Sequence, residues 1–101
     1  MDSNTNALTD KLREACALLV ATGEQHWATW MSQSLSEIEN GNLAGVDKLL
    51  SAYGGMGSFN DLILTSFDGH LLDDAGYRRW NHQLDSLRSE LYALATEIAR
   101  Q

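Results

Sequence analysis

Residues 75–100 read AGYRRWNHQLDSLRSELYALATEIAR. Tyr77, Trp80, Leu84, Leu87, Leu91, Leu94 and Ile98 step through this stretch in alternating threes and fours. That spacing is an a/d seam over three heptads. It predicts an α-helix opened by Asp73 or Asp74, where an acid suits the helix dipole. At 1.5 Å per residue such a helix is about 39 Å long. Residues 24–40, the next clearest helical pattern, would give only about 25 Å by the same rule. The last helix therefore serves as the spine for shorter helices, overhangs the domain, or pairs with another chain.

Working back from the spine, the rest of the chain also reads as helix. There are no prolines among 101 residues, and glycines supply the breaks. Thr5 or Asn6 is expected to cap a first helix running to about Thr22, with Leu8, Leu12, Ala15, Cys16 and Leu19 on one face. Gly23 stands where a left-handed C-terminal cap belongs. The second helix places Trp27, Met31, Leu35 and Ile38 on one stripe, with Trp30 beside it, and stops at Asn40-Gly41. Asn42 is expected to cap a third helix over 43–53, with Leu43, Val46, Leu50 and Tyr53 on its apolar stripe. Gly45 inside that helix lowers its propensity by up to about 1 kcal/mol, which suggests close approach of a neighbour. Ser58-Phe59-Asn60-Asp61 has the form of a capping box for a short helix over 59–64, although Leu62–Thr65 also suits a buried strand. Residues 66–72 read as a turn centred on Asp68-Gly69. The expected fold is one all-α domain over 1–101, a small bundle of four to five helices with a long C-terminal helix.

Composition narrows the function. Fourteen acids face seven Lys and Arg, a formal charge of −7, which argues against nucleic acid and against anionic membranes. The longest unbroken apolar run, 15–21, is far short of the roughly 20 residues of a membrane span. One cysteine excludes an intrachain disulfide, and Cys16 reads as a buried apolar residue in a reducing cytoplasm. No basic leader precedes it. His26, His70 and His82 lack the spacing of a metal site, so no metal or other cofactor is expected. The glycine-rich 54–57 run lacks the lysine of a phosphate cradle. No nucleophile–base constellation stands out, and enzyme activity is not expected.

The acidity is local. Residues 14–77 carry nine acids against Lys48 alone, net −8. Helix starts account for some of these acids. Glu37, Glu39 and Asp47 flank the Asn40–Asn42 turn instead and form an expected acidic corner; Asp61 and Asp68 extend the charge. A protein partner with a basic surface fits this balance. Trp30, Met56 and Phe59 are the expected apolar centre of that contact. The alternative is a homo-oligomer, such as a homodimer, through the Tyr77–Ile98 seam.

Trp27-Ala28-Thr29-Trp30, followed by Tyr53-Gly54-Gly55-Met56-Gly57-Ser58-Phe59-Asn60-Asp61-Leu62, resembles a small uncharacterised bacterial protein family. Its members share a W-A-x-W helix and a G-G-M-G-S-[FL]-N-D-[LIV] signature, and the resemblance spans about 8–72. It implies that Asn60 and Asp61 belong to a defined turn and cap. Such proteins look like the small partners that bacteria keep beside secreted toxins. The resemblance therefore points to an immunity protein or inhibitor that neutralises a bacterial toxin.

Overall fold

In a computed structural model, which describes residues 3–54, 56–64 and 74–101, the long C-terminal helix is one of four that form a ring. The helices are α1 (Ser3–Ala21), α2 (Gln25–Glu39), α3 (Ala44–Ser51) and α4 (Asp74–Ala99). A 3-10 turn, Phe59–Asp61, lies between α3 and α4. Each α-helix packs on the next, and α4 closes back on α1. No strand occurs among the described residues. The expected all-α bundle with a long final helix is what the chain adopts.

The core follows from the apolar spacing. Leu8, Leu12, Ala15, Leu18 and Leu19 of α1 meet Ala28, Met31 and Ile38 of α2, Val46 and Leu49 of α3, and Leu84, Leu87, Leu91, Ala95 and Ile98 of α4. The heptad seam is thus buried inside its own chain. Its positions Leu84, Leu87, Leu91 and Ile98 are buried against the other helices. Leu94, Trp80 and Tyr77 at its margins are half-buried.

Helices α1 and α2 end in the same way. Gly23 has φ 76° and Gly41 φ 80°, angles that a side chain would strain. Glu24 N–H reaches Leu19 O at 2.9 Å and Gly23 N–H reaches Val20 O at 3.1 Å. Asn42 N–H reaches Glu37 O at 2.8 Å and Gly41 N–H reaches Ile38 O at 3.0 Å. Both sets are Schellman motifs, which satisfy last-turn carbonyls that no further helical turn could reach.

Three boundaries and the burial of Cys16 depart from the sequence reading. Helix α1 starts at Ser3, so Thr5 and Asn6 lie inside it, and Asn6 O accepts the Thr9 hydroxyl at 3.0 Å. Helix α3 covers Ala44–Ser51 only, and Leu43, expected on its apolar stripe, is 62% exposed. Cys16 is half-buried, with its Sγ accepting the Ser32 hydroxyl at 3.6 Å. Residues 62–64 are neither helix nor strand. The reason for this last departure is a side chain: Asn81 of α4 takes Leu64 N–H at its Oδ1, 2.7 Å, and gives its Nδ2–H to Leu64 O at 3.0 Å. One amide thus does what a neighbouring strand would do. The expected turn over 66–72, with Asp68, and the cap at Asp73 lie outside the described residues.

Candidate functional site

The signature segment is a turn built on short-range hydrogen bonds. Ser58 Oγ accepts Asn60 N–H at 3.3 Å, and Asp61 Oδ2 accepts Gly57 N–H at 2.9 Å. Both arms of the expected capping box are displaced by one residue, Ser58 accepting from Asn60 in place of Asp61 and Asp61 from Gly57 in place of Ser58, because the turn tightens to 3-10 geometry. Phe59 N–H bonds Ala52 O at 3.0 Å, tying the turn to the end of α3. Phe59 itself is completely buried. Its ring lies 5.3 Å from that of Trp27 and 5.7 Å from that of Tyr53. This corrects its expected place in an apolar contact surface, because an aromatic side chain gains more by burial among other rings than by exposure on a glycine-rich turn.

A single arginine locks the turn to α4. Arg88 Nη1 donates to Phe59 O, Asn60 O and Leu62 O at 2.8, 2.9 and 2.9 Å, while Nη2 pairs with Asp85. Tyr53 completes the clamp by donating its hydroxyl to Arg88 O at 2.8 Å. Nothing in the sequence pattern marks Arg88 for this role. The one available signal is Asn81, a poor helix former in the interior of a long helix.

Burial raises the Tyr53 phenol well above its ordinary range, against a lowering influence of the Arg88 charge. The folded chain therefore keeps this proton at a pH where the unfolded chain has released it. Folding loses stability as pH rises above about 10, at up to ~1.4 kcal/mol per pH unit. Between pH 10 and 11 the wild-type chain is expected to lose about 1 kcal/mol more than Tyr53→Phe. Urea unfolding at the two pH values checks this, and equal losses would refute it.

The remaining expected contact residues are scattered. Met56 is 99% exposed. Trp30 is half-buried, its indole N–H donating to Lys48 O at 2.9 Å and its ring lying under the Lys48 ammonium at 4.4 Å. Glu39 is neutralised by Arg13 of α1, which also holds Asp10. Glu37 is half-buried at the α2–α3 crossing, and Asp47 is exposed in the first turn of α3. Among the described residues Glu37 and Asp47 form no ion pair, while Glu39 shares Arg13 with Asp10. Asp61, also exposed, holds the turn. Beside the turn, an open groove of about 980 Å³ runs between Leu50, Tyr53 and Asn60 on one side and α4 from Asp85 to Ala99, with Arg100 just beyond it, on the other. No helix among the described residues is long and apolar enough to cross a membrane.

Fold and site together define a small all-α protein whose signature turn is fixed in place by its terminal helix. A family model described as a domain of unknown function, DUF6966, matches residues 20–73, more than half of the 101. The chain belongs to that family. The match takes in α2, α3 and the signature turn, while Asn81 and Arg88, which hold the turn, lie beyond it. No curated protein and no solved structure matches the chain significantly.

Proposed function

We propose that the chain is a cytoplasmic protein-binding module that captures a basic protein, and that it acts as an immunity protein or inhibitor of a bacterial toxin. The observation that carries the reading is Met56. A thioether side chain 99% exposed gains nothing for folding where it stands. It stands one residue before Gly57, whose N–H is held by Asp61, on a turn that Arg88 fixes from α4. An apolar anchor on a fixed turn needs little backbone ordering on binding, which favours a strong contact. Methionine also adapts its shape to a partner surface.

Charge supplies the preference for a basic partner. Among the described residues Glu24, Glu37, Asp47 and Glu97 form no ion pair, so their field is not cancelled locally. Such a field speeds encounter with a basic surface and disfavours acidic competitors. Basic sites are what toxins that act on nucleic acids or nucleotides present.

The test is capture of the protein encoded beside this one, together with growth protection on co-expression. Met56→Glu is expected to weaken that capture at least about tenfold, with helix content unchanged. Wild-type affinity in Met56→Glu, or no capture and no protection by the wild-type chain, sinks the reading.

A further inference from the structure

The outer face of α4 carries a pattern that the seam does not use. Asp85, Ser89 and Tyr92 are exposed on it, with Tyr92 at 49%, and Arg100, directly after the last helical residue and with its N–H still on Thr96 O, borders the same groove. Helix α3, with 8 residues, rises about 12 Å against about 39 Å for the 26 residues of α4. It therefore leaves this side of α4 bordered by the open groove of about 980 Å³. We propose that a second copy of this chain occupies it, with its α4 antiparallel to the first across a two-fold axis level with Tyr92 and Ala93.

Charge complementarity favours this pairing. Asp85 and Arg100 stand at equal distances on either side of that axis, each about 11 Å along the helix. An antiparallel pair sets Asp85 of one protomer opposite Arg100 of the partner subunit, and the same contact repeats at the other end. A parallel pair would set aspartate on aspartate and arginine on arginine. Among the described residues Arg100 has no ion-pair partner within its own chain. Asp85 binds Arg88 through Oδ1, and its side chain is still 65% exposed. Near the axis the two Tyr92 rings bring the largest exposed apolar area on this face to the centre, where an isologous interface gains most. The proposal is independent of partner capture through Met56, because every variant below keeps Met56.

Sedimentation equilibrium on the full chain, at concentrations up to about 1 mM, is the experiment. The expected result is a monomer–dimer equilibrium. Asp85→Arg and Arg100→Asp should each weaken it at least about tenfold, and the double exchange should return it to within about threefold of wild type. Arg100 is exposed just past the end of α4, so its reversal keeps the fold readable even if Asp85→Arg disturbs Arg88. A monomer at every concentration overturns the proposal. So does a dimer that the single reversals leave unchanged, or one that the double exchange fails to restore.

Discussion

Replacing Arg88 with methionine is expected to destabilise the chain by about 3–4 kcal/mol. The methionine keeps much of the apolar stem and removes the guanidinium. Three backbone carbonyls, of Phe59, Asn60 and Leu62, lose their donor at once. A hydrogen bond to a charged group contributes roughly 1.5–3 kcal/mol net, which would set a higher figure if the losses added fully. They do not, because Asn60 is exposed and water replaces the arginine there. Phe59 O and Leu62 O are partly buried and recover less. The surface pair with Asp85, whose carboxylate side chain is 65% exposed, adds little. Lysine in place of arginine keeps the charge but loses the planar fork, so Arg88→Lys is expected to recover less than half of the loss. The urea midpoint followed by tryptophan emission reports the change, because Trp27 lies against Phe59. A loss below about 1 kcal/mol in Arg88→Met would show that the turn holds itself through Ser58 and Asp61 without the clamp.

The contrast between Arg88 and the heptad seam shows what sequence carries. Leu84, Leu87, Leu91 and Ile98 are buried where their spacing placed them, because a helix repeats and a run of side chains reports its face. Gly23 and Gly41 end helices where expected, because a residue of positive φ leaves a local mark. Arg88 acts on carbonyls 26 to 29 residues away in the chain. Every residue has a carbonyl, so no residue type at the other end of the contact marks it in the sequence. Phe59 departs from its expected exposure for a related reason. Its glycine- and serine-rich neighbours describe a loop, while its burial depends on Trp27 and Tyr53 from two other elements. Glu39 loses its place in the acidic corner to an arginine 26 residues earlier. Local pattern thus reveals the helices and the turn, and long-range polar contacts decide which face of the turn is presented.

Gly45→Ala is expected to destabilise the chain by about 2 kcal/mol, although the same exchange in most helices stabilises. Alanine is the better helix former by about 1 kcal/mol, and the backbone of α3 at this point suits it. The obstacle is the crossing with α2. A Cβ on residue 45 would come within 2.6 Å of Ser34 O, 2.8 Å of Ile38 Cγ1 and 2.9 Å of Glu37 Cβ. The nearest of these is a backbone oxygen in the body of a helix, which no rotamer change can move. Helix α2 would have to shift as a whole, and it also packs on α1. Overpacking of this kind costs about 1–3 kcal/mol, occasionally more, so three simultaneous clashes outweigh the gain in propensity. Ser34 shows the same constraint from the other side: it is fully buried and its hydroxyl has no hydrogen-bond partner among the described residues, yet it is small enough for the crossing. Gly54→Ala supplies the control. Nothing lies within 4 Å of a Cβ there and its φ is not positive, so it is expected to be neutral or to stabilise by about 0.5 kcal/mol. Thermal and urea unfolding of the two variants separate the effects. If Gly45→Ala melts at or above the wild-type temperature, the α2–α3 crossing is looser than this geometry, and Gly45→Val should then fold as well. If the geometry holds, Gly45→Val should fail to fold, because its two further methyl groups enter the same occupied space.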